Sequence, residues 1–196
     1  MRIRRLLRGR PDFFVSAKAP APIPARHPAL RAGLVQASLD PQVRAIGHVA
    51  TAHVASVPVD LDAVVLTRED GRFVLDVVPA RRLRDVDEEA LVQIALRDLG
   101  LRPIVVTAED LKAEPRRSNV DQVWSHHRRF VPLGLRIRIL EVLRDDGPME
   151  LVRLLESIQS DRDPMPSVLS LFCDDLLEID LTSAPLGPLS LVRSRS

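Results

Sequence analysis

Asp62 and Asp76 are the residues whose type and spacing could do chemistry. Each lies at an end of a valine-rich run, and Asp70-Gly71 separates the two runs, so a hairpin would set the strands side by side. In a pleated strand positions 76 and 78 share a face. A carboxylate at 76 with a lysine at 78 could therefore act on one metal-bound water together with Asp62. Paired carboxylates suit Mg2+, which takes oxygen ligands and usually keeps waters and a phosphate in its shell. Position 78, however, is valine.

The elements that must hold this pair can be read from the periodicity. Residues 17–28 contain four spaced prolines, which remove backbone donors and predict an extended linker that ends a basic, proline-rich flexible arm over residues 1–26, with the folded part starting near His27. Leu30, Leu34 and Val35 recur at helical spacing before Asp40-Pro41 stops the run. Valine-rich runs at 43–46, 48–57, 62–67 and 72–78 predict three or four antiparallel strands. Over residues 86–99, Val86, Ala90, Leu91, Ile94, Ala95 and Leu99 predict an amphipathic helix with that stripe inward, closed by Gly100. Residues 103–106 predict a buried strand, and Thr107 with Asp110 a capped short helix.

Beyond Pro115 the pattern turns helical near 119–130, 135–145, 149–158 and 165–173, and two β-prone runs at 176–181 and 189–192 close the chain. The expected fold class is α/β (α+β): a mixed sheet flanked by helices over 27–116, then a small winged-helix-like unit over 117–196.

The run from Asp62 through Asp70-Gly71 to Asp76, Val78 and Pro79 resembles the PD-(D/E)XK nucleases, whose restriction-endonuclease-like fold carries a metal site on such a hairpin. Among them it is similar to the TnsA family of transposon-end endonucleases. Leu39-Asp40-Pro41-Gln42-Val43 resembles that family's segment after its first helix. Residues 104–111, with Arg117-Ser118-Asn119, resemble the end of its nuclease domain. The resemblance implies that Asp62 and Asp76 are the metal ligands and catalytic carboxylates, that Mg2+ is the cofactor of any activity, and that recombinase and ATPase partners in transposition are to be expected.

Three positions depart from that pattern. The family's lysine falls on Val78, its first-helix glutamate on Leu30, and the glutamine after the first strand near Val49. A hydrocarbon cannot stabilise an attacking hydroxide, and losing such a group typically costs ~10²-fold in rate. The resemblance therefore implies a catalytically degenerate member that works by binding. An active endonuclease would need substitutes such as Glu69, Arg81 or a second subunit, and a pure interaction protein is the remaining alternative.

Charge directs the expected partners. The formal net charge is only +1, yet the arm concentrates Arg2, Arg4, Arg5, Arg8 and Arg10. Together with Arg116, Arg117, Arg128 and Arg129 these form the candidate DNA-phosphate contacts. Residues 141–180 are predominantly acidic, and the helix expected to enter a groove, residues 166–175, has no Lys or Arg and ends in Asp174-Asp175. That unit suits a protein partner better than DNA. His126 and His127 are adjacent and His48 and His53 five apart, spacings that do not pair them as metal ligands. Cys173 is the single cysteine, so no internal disulfide can form. No run of 18 apolar residues exists, so no membrane association and a cytoplasmic location are expected.

Overall fold

The computed structural model describes residues 13–158 and 163–195. The chain opens with a hairpin of β1 (Phe13–Ser16) and β2 (Ala19–Pro24), in which Phe14 pairs with Ile23 and both are 1% exposed. This corrects the expectation of a linker over residues 17–28 and of an arm extending to 26. Pro20, Pro22 and Pro24 occupy alternate positions, so the intervening residues keep their N–H groups and a short edge hairpin remains possible. The backbone N–H of Ile46 donates to Lys18 O at 2.8 Å, which docks the hairpin on the main sheet.

Helix α1 (Pro28–Ser38) follows, with the ring of His27 accepting from the N–H of Ala29. Then come three antiparallel strands, β3 (Val43–Val54), β4 (Val57–Arg68) and β5 (Gly71–Val77). Val54 and Val57 pair across a turn in which Ala55 and Ser56 both take positive φ. No glycine or asparagine announces that turn, which is why the sequence shows no break there. The β4–β5 hairpin forms as expected, with Glu69-Asp70 at its tip and Gly71 paired with Arg68.

Helix α2 (Val86–Asp98) crosses over, and Gly100 closes it at φ +67, where glycine carries no Cβ penalty. Strand β6 (Arg102–Val106) then lies parallel to β5, which completes a mixed four-stranded sheet in the order β3-β4-β5-β6. Two expectations change here. Helix α2 is rotated from the predicted stripe: Val92 and Ala95 are buried, whereas Val86 and Ile94 are 84% and 42% exposed. Strand β6 is a half-exposed edge rather than a buried strand, with Val105 facing solvent. Thr107 and Asp110 do exchange hydrogen bonds, capping a single 3-10 turn.

The two sheet faces bury different clusters. Ile46, Val64, Leu66, Leu75 and Val77 join the main core under α1, where Gly33 lets the helix approach closely: a Cβ there would lie 3.0 Å from Val77 Cγ2. Val59, Leu61, Ala63 and Val74 pack instead with Val92 and Ala95 of α2.

The remaining helices are α3 (Arg116–Trp124), α4 (Leu133–Asp145), α5 (Leu151–Ser157) and α6 (Met165–Cys173). Strands β7 (Met149–Glu150), β8 (Leu177–Ile179) and β9 (Leu191–Ser194) make a second sheet ordered β7-β9-β8. Residues from both expected units, such as Leu34, Val120, Leu171 and Val192, share the main core, so the boundary placed at 116/117 does not separate two cores. Among the described residues, no helix is long and apolar enough to cross a membrane.

Candidate functional site

The two candidate carboxylates do not converge. On β4 the neighbours of Asp62, Leu61 and Ala63, both pack against α2, so alternation turns Asp62 away from that helix. On β5 the neighbours of Asp76, Leu75 and Val77, both enter the main core, so Asp76 points to the α2 side. Asp62 and Asp76 therefore occupy opposite faces of the sheet. The hairpin register decides this: Arg68 pairs with Gly71 and Val65 with Val74, which by extension sets Asp62 level with position 77 and not 76. Asp62 also takes φ +44 where the β3–β4 pairing shifts by one between Val49 and Thr51.

Each carboxylate has its own cationic or polar partner. The Nε2 of His48 lies 2.8 Å from Asp62 Oδ1 across the β3–β4 ladder. The guanidinium of Arg81 donates to both oxygens of Asp76, from Nε at 2.8 Å and from Nη2 at 2.5 Å. Arg81 thus reaches back as the sequence allowed, but it neutralises one carboxylate instead of standing between two. Arg82 pairs with Asp60, and Arg84 donates to Leu61 O at 2.9 Å and lies 3.7 Å from Glu89. The segment from Arg81 to Arg84 is consequently a clasp that ties the entry to α2 onto the end of β5 and onto β4 beside its bulge.

The three apolar departures have structural work of their own. Leu30 packs on the main core, and Val49 packs on the α2 cluster. Strand β5 ends at Val77, and Val78 begins a 3-10 turn with Pro79, so position 78 does not continue the pleat that Asp76 belongs to. This corrects the expectation that 76 and 78 share a strand face. Glu69 pairs with Arg44 at the hairpin tip, seven residues beyond Asp62, or roughly 20 Å along a strand. It cannot complete a site there. Among the described residues no group of three His, Cys, Asp or Glu is placed to hold a metal ion.

The expected phosphate contacts are dispersed. Arg2, Arg4, Arg5, Arg8 and Arg10 lie outside the described residues. Arg117 sits 3.9 Å from Asp121 on its own helix, Arg116 is half-buried beside Asp110, and Arg128 and Arg129 are exposed on the α3–α4 connection. Helix α6, expected to face a groove, is buried from Ser167 through Cys173. Burial pushes the Cys173 thiol up to about 12, leaving it protonated and inert.

The chain matches no protein-family model and no curated protein.

A polar cluster invisible in the sequence lies between the two sheets. Lys18 is 4% exposed; its ammonium donates to Asp40 O at 2.7 Å and lies 3.2 Å from Asp175. Arg195 reaches the same carboxylate at 2.8 Å, approaches Glu178 at 3.5 Å, and donates to Val43 O at 3.1 Å. Burial lowers the Lys18 pKa and raises that of Asp175, each opposed by the attraction of its partner. Asn119, 3% exposed, donates to Leu181 O and Ala184 O and accepts from the N–H of Leu186. No periodicity marks these residues, because the partners of Lys18 and Arg195 lie between 17 and 157 positions distant in the chain.

Proposed function

We propose that this chain is a non-catalytic protein with a restriction-endonuclease-like core of the TnsA type, acting through binding. The observation that carries its non-catalytic part is the separation of Asp62 and Asp76 onto opposite faces, each already engaged by His48 or Arg81. The same separation removes the carboxylate pair from the resemblance, so the kinship rests on the order of elements alone. Metal-assisted phosphoryl transfer needs oxygen ligands that converge on one ion, and here they diverge.

Kinship is supported by the element order: α1, three antiparallel strands, the α2 crossover and parallel β6 follow the sequence of elements that the resemblance implies. The order β7, α5, α6, β8, β9, with β9 in the middle of its sheet, is what a winged-helix-like unit would have. Burial of α6 argues against that unit reading a DNA groove and in favour of a protein partner. The resemblance supplies the class of partner, recombinases and ATPases of transposition. Nucleic-acid contact, through the arm arginines with Arg116 and Arg117, would be electrostatic and would weaken with salt.

A plasmid-nicking assay with Mg2+ or Mn2+ tests the reading. The expected result is no cleavage above that of the Asp62→Ala chain. Metal-dependent nicking that disappears in Asp62→Ala would overturn it.

A further inference from the structure

Two exposed apolar faces of this chain are complementary to each other. The first lies on the outer side of α2, where Val86, Ala90 and Ile94 recur at intervals of four beside Leu83, which is 98% exposed. Asp87 and Asp98 run along one edge of that stripe, exposed and without an ion pair among the described residues, and Glu89 lies on the other edge; Arg97 stands within the stripe, so the face is net acidic. The second lies at the start of α4, where Phe130, Leu133 and Ile137 are 83%, 68% and 45% exposed. Beside it stand Arg128 and Arg129, exposed and without an ion pair among the described residues.

Val86 to Ile94 spans eight rises of about 1.5 Å, or about 12 Å of α2, and Leu133 to Ile137 spans four, or about 6 Å of α4, with Phe130 extending the patch just before the helix. Large aliphatic and aromatic side chains left in water beside uncompensated charges mark an interaction surface rather than a solvated face. Leu133 and Ile137 offer nothing to a phosphate, so their position beside Arg128 and Arg129 favours an acidic, apolar protein surface over nucleic acid. The outer face of α2 is such a surface.

We infer that this chain associates with a second copy of itself, the acidic apolar face of α2 in one copy docking on the basic apolar face of Phe130, Leu133 and Ile137 in the other. The two faces differ, so the contact either closes reciprocally as a dimer or continues head to tail. This inference does not depend on the loss of nuclease chemistry.

Sedimentation velocity of the full-length chain over a concentration series, at low and high salt, provides the test. The wild-type chain is expected to associate, with a dissociation constant that rises with salt. The double variants Arg128→Glu/Arg129→Glu and Asp87→Arg/Asp98→Arg are each expected to raise that constant about tenfold or more. Mixed together they restore association, because both kinds of contact regain opposite charges. Circular dichroism checks that each variant is folded, and Ile137→Glu serves as a second disruption if a charge swap unfolds the chain. A chain that stays monomeric throughout, or an association that ignores these substitutions and is not restored on mixing, would overturn the inference. Loss of plasmid or oligonucleotide binding in Arg128→Glu/Arg129→Glu, with no change in self-association, would assign the second face to nucleic acid instead.

Discussion

His48 and Asp62 face each other across β3 and β4 at 2.8 Å, so the aspartate read as a metal ligand is bonded to an imidazole on the neighbouring strand. The pairing joins residues fourteen apart, which the ladder brings together because His48 pairs with Val64, two positions along the same face from Asp62. It turns the carboxylate toward the face opposite Asp76.

Restoring the missing lysine is expected not to restore activity. In Val78→Lys the new ammonium would start from a 3-10 turn, and the two carboxylates would still sit on opposite faces. Nicking with Mg2+ or Mn2+ should stay at the level of the unmodified chain. Titration calorimetry with Mn2+ should show no binding that Asp76→Ala removes.

Lys18→Ala should destabilise the fold by about 3 kcal/mol, because Asp175 and Asp40 O lose a buried cation while their desolvation remains. Arg195 still faces Asp175, which keeps the loss below that of a fully orphaned charge. Lys18→Met, which preserves the packing of the stem, should cost less than Lys18→Ala. Urea unfolding followed by circular dichroism measures both.

Asn119→Ala removes three hydrogen bonds to the segment between Leu181 and Leu186 and leaves two carbonyls and one N–H without that partner. A cost of about 2–4 kcal/mol is expected. Hydrogen exchange should show the amide of Leu186 losing protection more than amides of the four-stranded sheet.

Asp180 gives an acid limb to stability. Hydrogen bonds from Ser183 and Thr182 hold its carboxyl down to about 2, below the ordinary aspartate value near 4. A depressed carboxylate contributes stability that is complete above the unfolded value and is lost as pH falls through the folded one. The difference in urea midpoint between the wild-type chain and Asp180→Asn should therefore be constant at neutral pH and shrink between about pH 4 and 2.

Phe14→Ala tests the hairpin at the start of the chain. Phe14 is buried and stacks on Trp124 with ring centroids 5.6 Å apart, and Trp124 in turn stacks on His127. Truncation should cost about 3–4 kcal/mol. It should also shift the fluorescence of Trp124, the single tryptophan.

The sequence by itself determined which segments become helices and strands wherever a local signal governs them. Examples are α1 before Asp40-Pro41, the β4–β5 hairpin, the cap of Thr107 on Asp110, and Gly100 at the end of α2. It also determined that positions 30, 49 and 78 could not supply the polar groups of a nuclease site. Only the tertiary structure decided which way side chains face once elements meet. Periodicity gives the spacing of a stripe but not its rotation, so α2 buries Val92 and Ala95 and leaves Val86 and Ile94 in solvent. Alternation gives two faces per strand but not the register between strands, and the pairing of Arg68 with Gly71 and Val65 with Val74 separated two carboxylates that spacing alone had brought together, while the end of β5 at Val77 took Val78 out of the strand. The contacts of Lys18 and Arg195 depend on chain segments far apart in sequence, and only packing of the main core places them within reach of Asp175.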